Sequence, residues 1–375
     1  MIEIKQLAPT KSNVKKLVKF ERDLYKGNSY YVPPLLSSEL DNLIPKRNPA
    51  FDFCDAAYFM AFRDGKPEGR IVVMINRQVN EISGEKIARF GWIDFKDDPE
   101  VSAALLAKAE EWARSHGMEK IVGPLGFTDL DREGTLVEGF DELSTMATTY
   151  NHPYYEKHIR AAGYEKDSDW MEFVMEVPAE VPERYSRIAD IVRQKFGLKV
   201  VKYSNRKRIK EDYGHALFHL INDAYKDLYQ YSPLTEKQID KYINDYLNLL
   251  NLDLLTLVVD RERRLIGVGI CLPSMSRALQ RSHGKMFPFG WYHLLKGLKG
   301  VNDRVDLLLV AVAPDYQNKG INALLFQDLI PEFNKYGYKY AESNPEMETN
   351  AKVQSQWEYF NRRQHRRRRS FYKNL

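Results

Sequence analysis

Apolar residues cluster most clearly between residues 305 and 329 of this chain. Residues 305–312 are almost continuously apolar, which predicts a strand buried on both faces. Pro314 and Asp315 end this run, and apolar residues return at three- and four-residue spacing from Ile321 onward, which predicts a helix. The pattern therefore predicts a strand, a loop and a helix in succession.

The order of apolar patterns in the first half of the chain occurs again in the second half. Gly69 and Gly267 each follow a predicted hairpin turn, and Asn151 and Asn350 each open a late helix. Their separations nearly agree, since 267 − 69 = 198 and 350 − 151 = 199. Such agreement suggests an internal duplication, although two mixed domains of similar size would also share some spacing.

Pro178 and Pro182 mark a plausible linker between the two halves. We therefore predict an α/β fold of the mixed-sheet, α+β kind, with two domains at residues 1–178 and 183–375. Each domain is predicted to be a twisted mixed sheet flanked by helices. Residues 25–53 contain four prolines, which predicts a surface loop or an acceptor-binding lid.

Composition places the chain among ordinary globular proteins, because 43% of its residues are hydrophobic and 29% are charged. Cys54 and Cys271 lie too far apart in sequence for a disulfide framework or a zinc motif, which favours reduced thiols. The first residues lack the apolar core of a signal peptide, and no apolar run approaches the length of a membrane span. We expect a cytoplasmic protein, with peripheral contact at the inner membrane face as an open alternative.

The last fifteen residues contain six arginines and one lysine but no acidic residue. An end strand with outward arginines is the first interpretation of this tail. Attraction to an anionic membrane is the second, and nucleic-acid binding is not expected because no recognised module accompanies the arginines.

The loop before the predicted helix at Ile321 presents backbone N–H groups at a helix N-terminus, where a phosphate or pyrophosphate is favoured. Gly320 permits a close approach of such a ligand. In the first half Asp97 and Asp98 stand at the equivalent place. Carboxylates there oppose an anion, so only the second half is predicted to bind a phosphate-rich cofactor.

A hairpin, a buried strand, a Gln-x-x-Gly loop at a helix start and a helix opened by Asn resemble the GNAT superfamily of acyl-CoA-dependent acyltransferases, here twice in tandem. The motif Gln317-Asn318-Lys319-Gly320-Ile321-Asn322 is similar to the family pattern, which it leaves at Asn322. The segments YYVPPLL, KRNPAF, GTLVEGFDE, TYNHPYY and ALQRSHGKMFPFGW are similar to a bacterial tandem-GNAT branch. Some members of that branch resemble bacterial ceramide synthases.

The resemblance implies acetyl-CoA or a longer acyl-CoA as co-substrate. Backbone N–H groups near residues 310–312 would hold the acyl carbonyl, and those of residues 319–323 the pyrophosphate. The implied cofactor-binding residues are Val310, Ala311, Val312, Gln317, Asn318, Lys319, Gly320, Ile321, Asn322, Ala323 and Asn350.

The same chemistry needs a general base and a general acid. Glu348, beside the helix start at Asn350, is the first candidate base and Glu342 the second; each is also explained as an ordinary carboxylate near a helix start. GNAT enzymes often place an acidic tyrosine seven residues after the Asn. Trp357 occupies that position here, so Tyr359 is the candidate acid.

Acceptor-binding residues are predicted in two places. Glu138, Asn151, Tyr154 and Tyr155 are candidates in the first half. Phe289 and Trp291 lie in an aromatic insert that could line an acyl channel, lie at a membrane surface, or simply cover the sheet.

Two further motifs do not indicate a binding site. His215 and His219 have metal-ligand spacing on a helix, but Ala216 replaces the glutamate of a zincin and no third ligand is evident, so no metal is predicted. Gly267 and Gly269 form a lone GxG without a following helix.

Together these patterns predict an acyl-CoA-dependent N-acyltransferase that transfers an acetyl or longer acyl group to an amine by direct attack. The acceptor is a small-molecule or lipid amine. A long-chain N-acyltransferase of sphingoid amines and a non-catalytic GNAT-fold binding protein are the alternatives. Chain length, and CoA or acyl carrier protein as donor, stay open.

Overall fold

The computed structural model describes residues 1–247, 249–300 and 302–375. The chain divides into two compact units. The first unit comprises residues 1–171, 276–293 and 365–375, and the second comprises residues 172–275 and 294–364. The sequence-based domain boundaries at 1–178 and 183–375 stay a prediction.

Strands and helices are interspersed along the described chain. The strands are β1 (Ile2–Leu7), β2 (Cys54–Arg63), β3 (Lys66–Asn76), β4 (Ile87–Phe95), β5 (Lys120–Gly123), β6 (Thr135–Glu138), β7 (Glu165–Glu176), β8 (Lys199–Val201), β9 (Leu255–Val259), β10 (Leu265–Pro273), β11 (Arg304–Val312), β12 (Tyr340–Ser343), β13 (Glu346–Met347) and β14 (Arg362–Asn374). The helices are α1 (Lys11–Leu24), α2 (Leu36–Leu43), α3 (Arg77–Ser83), α4 (Pro99–Ser115), α5 (Tyr154–Ala161), α6 (Glu183–Phe196), α7 (Arg206–Tyr225), α8 (Glu236–Tyr246), α9 (Ser276–Ser282), α10 (Gly290–Leu298), α11 (Asn322–Tyr336) and α12 (Ala351–Ser355).

The first unit is built on a sheet in the order β1-β2-β3-β4-β5-β14-β7. The β4–β5 pair is parallel, and the pairs β1–β2, β2–β3, β3–β4 and β5–β14 are antiparallel. Helix α4 packs on β2 and β3 through a buried apolar face that includes Val101, Leu105 and Leu106. Its N-terminus is capped by the Asp98 side chain, which accepts from the Glu100 N–H at 2.9 Å. A carboxylate thus already occupies this helix start.

The second unit repeats this arrangement, with its sheet in the order β7-β12-β11-β10-β9-β8. The β11–β12 pair is parallel, and β10 pairs antiparallel with β9 and β11. Strand β7 belongs to the first unit up to Met171 and to the second from Glu172. A mixed sheet flanked by helices in each unit confirms the predicted fold class.

Two local predictions for the first unit differ from the structure. Residues 25–53 are not all loop, because Leu36, Leu40 and Leu43 have helical spacing and form α2. The prediction that the arginines of the tail point outward is also wrong in part. Arg366 and Arg368 are fully buried, and their guanidinium groups donate to backbone carbonyls inside the first unit.

No helix in the described parts of the chain is long and apolar enough to cross a membrane.

Candidate functional site

Strands β11 and β12 separate part of the way along their length. They pair only from Arg304 with Tyr340 to Leu307 with Ser343. Beyond that point the Asn344 side chain, rather than a strand, donates to the Leu308 carbonyl at 2.6 Å. Residues 307–310 are half-buried, whereas the sequence predicted a strand buried on both faces.

The backbone carbonyl of Val310 points into the gap between β11 and β12. It accepts a hydrogen bond from the Tyr225 hydroxyl of α7 at 2.8 Å. In an antiparallel ladder the N–H and C=O of one residue point to the same side, so the Val310 N–H also faces away from β10. That N–H has the position expected for a donor to an acyl carbonyl oxygen.

Glu346 on β13 is the most perturbed carboxyl in this part of the second unit. Trp357 donates from Nε1 to Glu346 at 2.8 Å. Burial raises the pKa of Glu346 to about 7, although hydrogen bonds from Trp357 and Ser343 and the charge of Arg362 act in the opposite direction. A carboxyl poised near neutrality is suited to general base catalysis.

Tyr225 lies near both the Val310 backbone and the Glu346 carboxyl. Besides its bond to Val310, it interacts electrostatically with Glu346. Burial raises the pKa of the Tyr225 phenol, so the hydroxyl stays protonated and can donate. The second unit thus brings an N–H donor, a neutral phenol and a near-neutral carboxyl into one neighbourhood.

In the described loop that precedes α11, some backbone N–H groups donate no hydrogen bond. Among the described residues, the backbone N–H groups of Gly320, Ile321 and Asn322 donate to no other group. Gly320 has φ +81°, and a Cβ there would meet Ile188 at 2.7 Å, so only glycine fits. Free N–H groups at the start of a fifteen-residue helix suit a pyrophosphate.

Three side chains in and beside this loop contact neighbouring groups. The Lys319 ammonium lies over the rings of Phe196 and Tyr316, at 5.3 and 5.2 Å from their centroids. Gln317 donates to the Val312 carbonyl, and Asn322 donates to the Gln356 side chain at 2.8 Å. Lys319 therefore adds a positive charge beside the free N–H groups.

A cavity begins next to this helix start and contains about 540 Å³ of empty space, part of it open to solvent. Its lining is almost entirely apolar and includes Leu307 and Val310 of β11, Phe326 and Leu329 of α11, and Trp357. This lining suits a hydrocarbon chain.

The three catalytic residues predicted from the sequence, Glu342, Glu348 and Tyr359, have different surroundings. Glu342 is buried and forms an ion pair with Arg304. Glu348 precedes Asn350, whose side chain caps α12 by accepting from the Val353 N–H. Tyr359 is 45% exposed and lies 4.1 Å from the Arg184 guanidinium. Their catalytic roles stay predictions.

The predicted acceptor residues of the first unit have separate environments. Asn151 exchanges hydrogen bonds with the Leu136 backbone, and the Tyr154 hydroxyl donates to the Phe95 carbonyl at 2.7 Å. Tyr155 donates to the buried carboxylate of Asp94. Glu138 is exposed and pairs with Arg367.

Asn151 and Tyr155 line a second, polar cavity of about 620 Å³, partly open to solvent. Buried ion pairs form one wall, where Arg70 contacts Glu21 at 2.7 Å and Asp94 at 2.6 Å. Tyr25 also donates to Asp94, at 2.7 Å. The cavity of the first unit thus has charged side chains in its lining, whereas the lining of the cavity in the second unit is almost entirely apolar.

Phe289 and Trp291 are exposed by 75% and 44%. His215 and His219 lie beside Glu236, a carboxylate that the sequence did not reveal as a neighbour, at 3.2 and 3.0 Å. All three side chains are more than half exposed, and ion pairs of this kind form without a metal.

Sequence reasoning missed Glu346 and Tyr225. Three glutamates occur within seven residues, at 342, 346 and 348, and nothing local distinguishes them. Their partners in the folded chain distinguish them, because Glu342 pairs with Arg304 whereas Glu346 accepts from the Trp357 indole. Tyr225 lies in another part of the sequence, at the end of α7.

The diverging parallel pair and the glycine loop at a helix start, on a repeated mixed sheet, define the GNAT fold in tandem. The solved tandem GNAT protein from the clavulanic acid biosynthesis pathway matches with a TM-score of 0.59 at 12% identity, covering 100% of this chain and 98% of that one. A GCN5-related N-acetyltransferase from Sphaerobacter thermophilus matches with a TM-score of 0.50 at 11% identity, covering 100% and 95%.

Two bacterial relatives are similar in sequence. Protein YghO of Escherichia coli is 28% identical over 371 residues, which cover 97% of this chain and 94% of that protein. The bacterial ceramide synthase of Caulobacter vibrioides is 28% identical over 295 residues, covering 77% and 75%. No family model matches the chain.

Proposed function

We propose that this protein is an acyl-CoA-dependent N-acyltransferase whose second unit binds the acyl thioester. The observation that carries the proposal is Glu346, a largely buried carboxyl with a pKa of about 7 that shares the neighbour Tyr225 with the backbone of Val310. Similarity to the bacterial ceramide synthase of C. vibrioides supports the transfer of an acyl group to nitrogen.

The donor fits the free N–H groups of Gly320, Ile321 and Asn322 through its pyrophosphate, with Lys319 adding charge. When bound, it supplies an acyl carbonyl activated as a thioester. The gap between β11 and β12 leaves room for its extended arm, because residues 308–312 have no strand partner on that side.

Each residue then has one task in the transfer. The Val310 N–H donates to the carbonyl oxygen and stabilises the negative charge that develops there. Glu346 accepts the proton that the amine nitrogen loses as the C–N bond forms. Tyr225 donates its proton to the thiolate as the C–S bond breaks and regains a proton from Glu346, so the products are an amide and a free thiol and both side chains return to their starting states.

The apolar lining of this cavity suits a long acyl chain, because hydrocarbon is favoured in apolar surroundings over water. A long-chain transfer to a lipid amine, of the sphingoid type, is therefore the second candidate function. The acceptor in either case is a neutral amine, whose lone pair attacks the thioester carbon.

The test is release of free thiol from palmitoyl-CoA and from acetyl-CoA, with sphinganine or a soluble primary amine as acceptor. We expect amine-dependent release by the full chain and a loss of about 10²- to 10⁴-fold in Glu346→Gln. No release from either donor with any amine, in a folded protein, would favour a GNAT-fold binding protein without catalysis.

A further inference from the structure

Residues 274–302 form a strongly basic stretch. They contain Arg277, Arg281, Lys285, Lys296 and Lys299 but no aspartate or glutamate. All five side chains are exposed. None of them forms an ion pair with a carboxylate in the parts of the chain that the structure describes. Their charges are therefore available to an anionic partner.

The start of this stretch is fixed firmly to the first unit. The Ser276 hydroxyl of α9 donates to the Ser144 carbonyl at 2.7 Å, and the Gln280 side chain donates to the Tyr31 carbonyl at 2.9 Å. The Gly284 carbonyl accepts from the Leu36 N–H. The segment after Gly284 therefore extends from a base that several hydrogen bonds hold in place.

Residues 286–292, which we name the aromatic tip, are all apolar or aromatic in sequence apart from one glycine. Phe287 and Phe289 are 76% and 75% exposed, Tyr292 is 55% exposed, and Met286 and Trp291 are each 44% exposed. Single exposed apolar residues are ordinary, but five within seven positions mark an interaction site.

We propose that the aromatic tip docks on an anionic lipid surface. Aromatic side chains favour the headgroup region of a bilayer, and basic residues beside them are attracted to anionic headgroups. Arg281 and Lys285 precede the tip, and Lys296 comes after it within α10.

The positive charge beside the aromatic tip favours a lipid surface over a second copy of the chain as the partner of the tip. Two tips that met face to face would bring Arg281 and Lys285 of one copy near those of the other, and like charges oppose association. Docking of the tip on lipid does not depend on the proposed acyl transfer.

The experiment is co-sedimentation of the full-length protein with vesicles of phosphatidylcholine alone, or of phosphatidylcholine and phosphatidylglycerol in equal amounts. We expect binding to the mixed vesicles that exceeds binding to the neutral ones by at least about tenfold and weakens with added salt. The variant Phe287→Ser/Phe289→Ser/Trp291→Ser should lose at least about tenfold in affinity.

Ile82→Ser is the matched control, because Ile82 is a 65% exposed apolar residue elsewhere in the first unit. It should bind as the parent does. Arg281→Gln/Lys285→Gln should lose binding to the mixed vesicles while the thermal unfolding midpoint stays unchanged. Equal binding by the triple variant and the parent would overturn the proposal. So would a parent that binds neither kind of vesicle, and a dimer that the triple variant abolishes would then show that the tip contacts a second copy of the chain.

Discussion

Trp357 donates a hydrogen bond from its indole Nε1 to the carboxylate of Glu346 at 2.8 Å. Trp357 stands seven residues after Asn350, where the resemblance to GNAT enzymes leads one to expect an acidic tyrosine. An indole N–H does not give up its proton, but it fixes the orientation of the carboxylate. The tryptophan therefore positions the proposed base, and the proposed acid comes from α7.

The first prediction concerns the pH dependence of Glu346. Because the proposed base must be ionised, kcat/KM should rise with pH and level off above about 7, the pKa that burial gives this group. Glu346→Gln should lose activity by about 10²- to 10⁴-fold and show no inflection near pH 7. The measurement is a pH profile of thiol release.

Stability offers a control that is independent of activity. The pKa of Glu346 is higher in the folded protein than in the unfolded chain, so the stabilisation it gives is complete below about pH 4.5 and is lost as pH rises to about 7. Relative to Glu346→Gln, the parent should lose about 3 kcal/mol across this window. Parallel stability curves for the two proteins would contradict the raised pKa.

Tyr225 and Tyr359 are rival proton donors. If Tyr225 protonates the thiolate, Tyr225→Phe should lower kcat by about 10- to 100-fold, whereas Tyr359→Phe should keep most of the activity. The two substitutions each remove one hydroxyl, so each serves as the control for the other. The reverse ranking would restore Tyr359 to the role predicted from the sequence.

The apolar cavity should set the length of the acyl chain. Ala341 lines it and is only 6% exposed, so Ala341→Leu would fill part of the space. We expect kcat/KM for palmitoyl-CoA to fall at least about tenfold relative to acetyl-CoA, because a pocket that loses volume discriminates against the larger substrate. Unchanged discrimination would mean that the chain lies elsewhere.

The buried ion pairs of the first unit should matter for folding. Asp94 accepts hydrogen bonds from Arg70, Tyr25 and Tyr155. Asp94→Asn should cost about 3–5 kcal/mol, because it leaves a buried charge incompletely paired. The exposed Asp55, which pairs with Arg77, gives the control, and Asp55→Asn should cost at most about 1 kcal/mol. Urea unfolding of the three proteins would reveal equal costs if the network were unimportant.

Much of the fold could be predicted because the periodicity of apolar residues is local. The strand at 305–312 and the helix after Gly320 each depend on residues near one another in the sequence. The loop glycine could be singled out for the same reason, and its φ of +81° explains why glycine is required.

Features that depend on distant residues could not be predicted in this way. The arginines of β14 looked like an exposed basic tail, but Arg366 and Arg368 reach the carbonyls of Leu143 and Thr149. Glu346 is distinguished by its hydrogen bond from Trp357, a contact that the residues next to Glu346 do not determine. Tertiary packing decides both cases.

The central claim, that the second unit binds an acyl-CoA at the loop before α11, is tested most directly by calorimetric titration. Palmitoyl-CoA, acetyl-CoA and free CoA would be titrated into the parent protein, Gly320→Trp and Gly337→Ala. Gly337 is the control because it has φ +76° at the other end of the same helix, with no atom within 4 Å of an added Cβ.

We predict that the parent binds all three ligands, with palmitoyl-CoA the tightest. Gly337→Ala should keep this binding and Gly320→Trp should lose it, because the indole would fill the space before the free N–H groups. Equal binding by Gly320→Trp and the parent, or no binding of any CoA ligand by the folded parent, would contradict the claim.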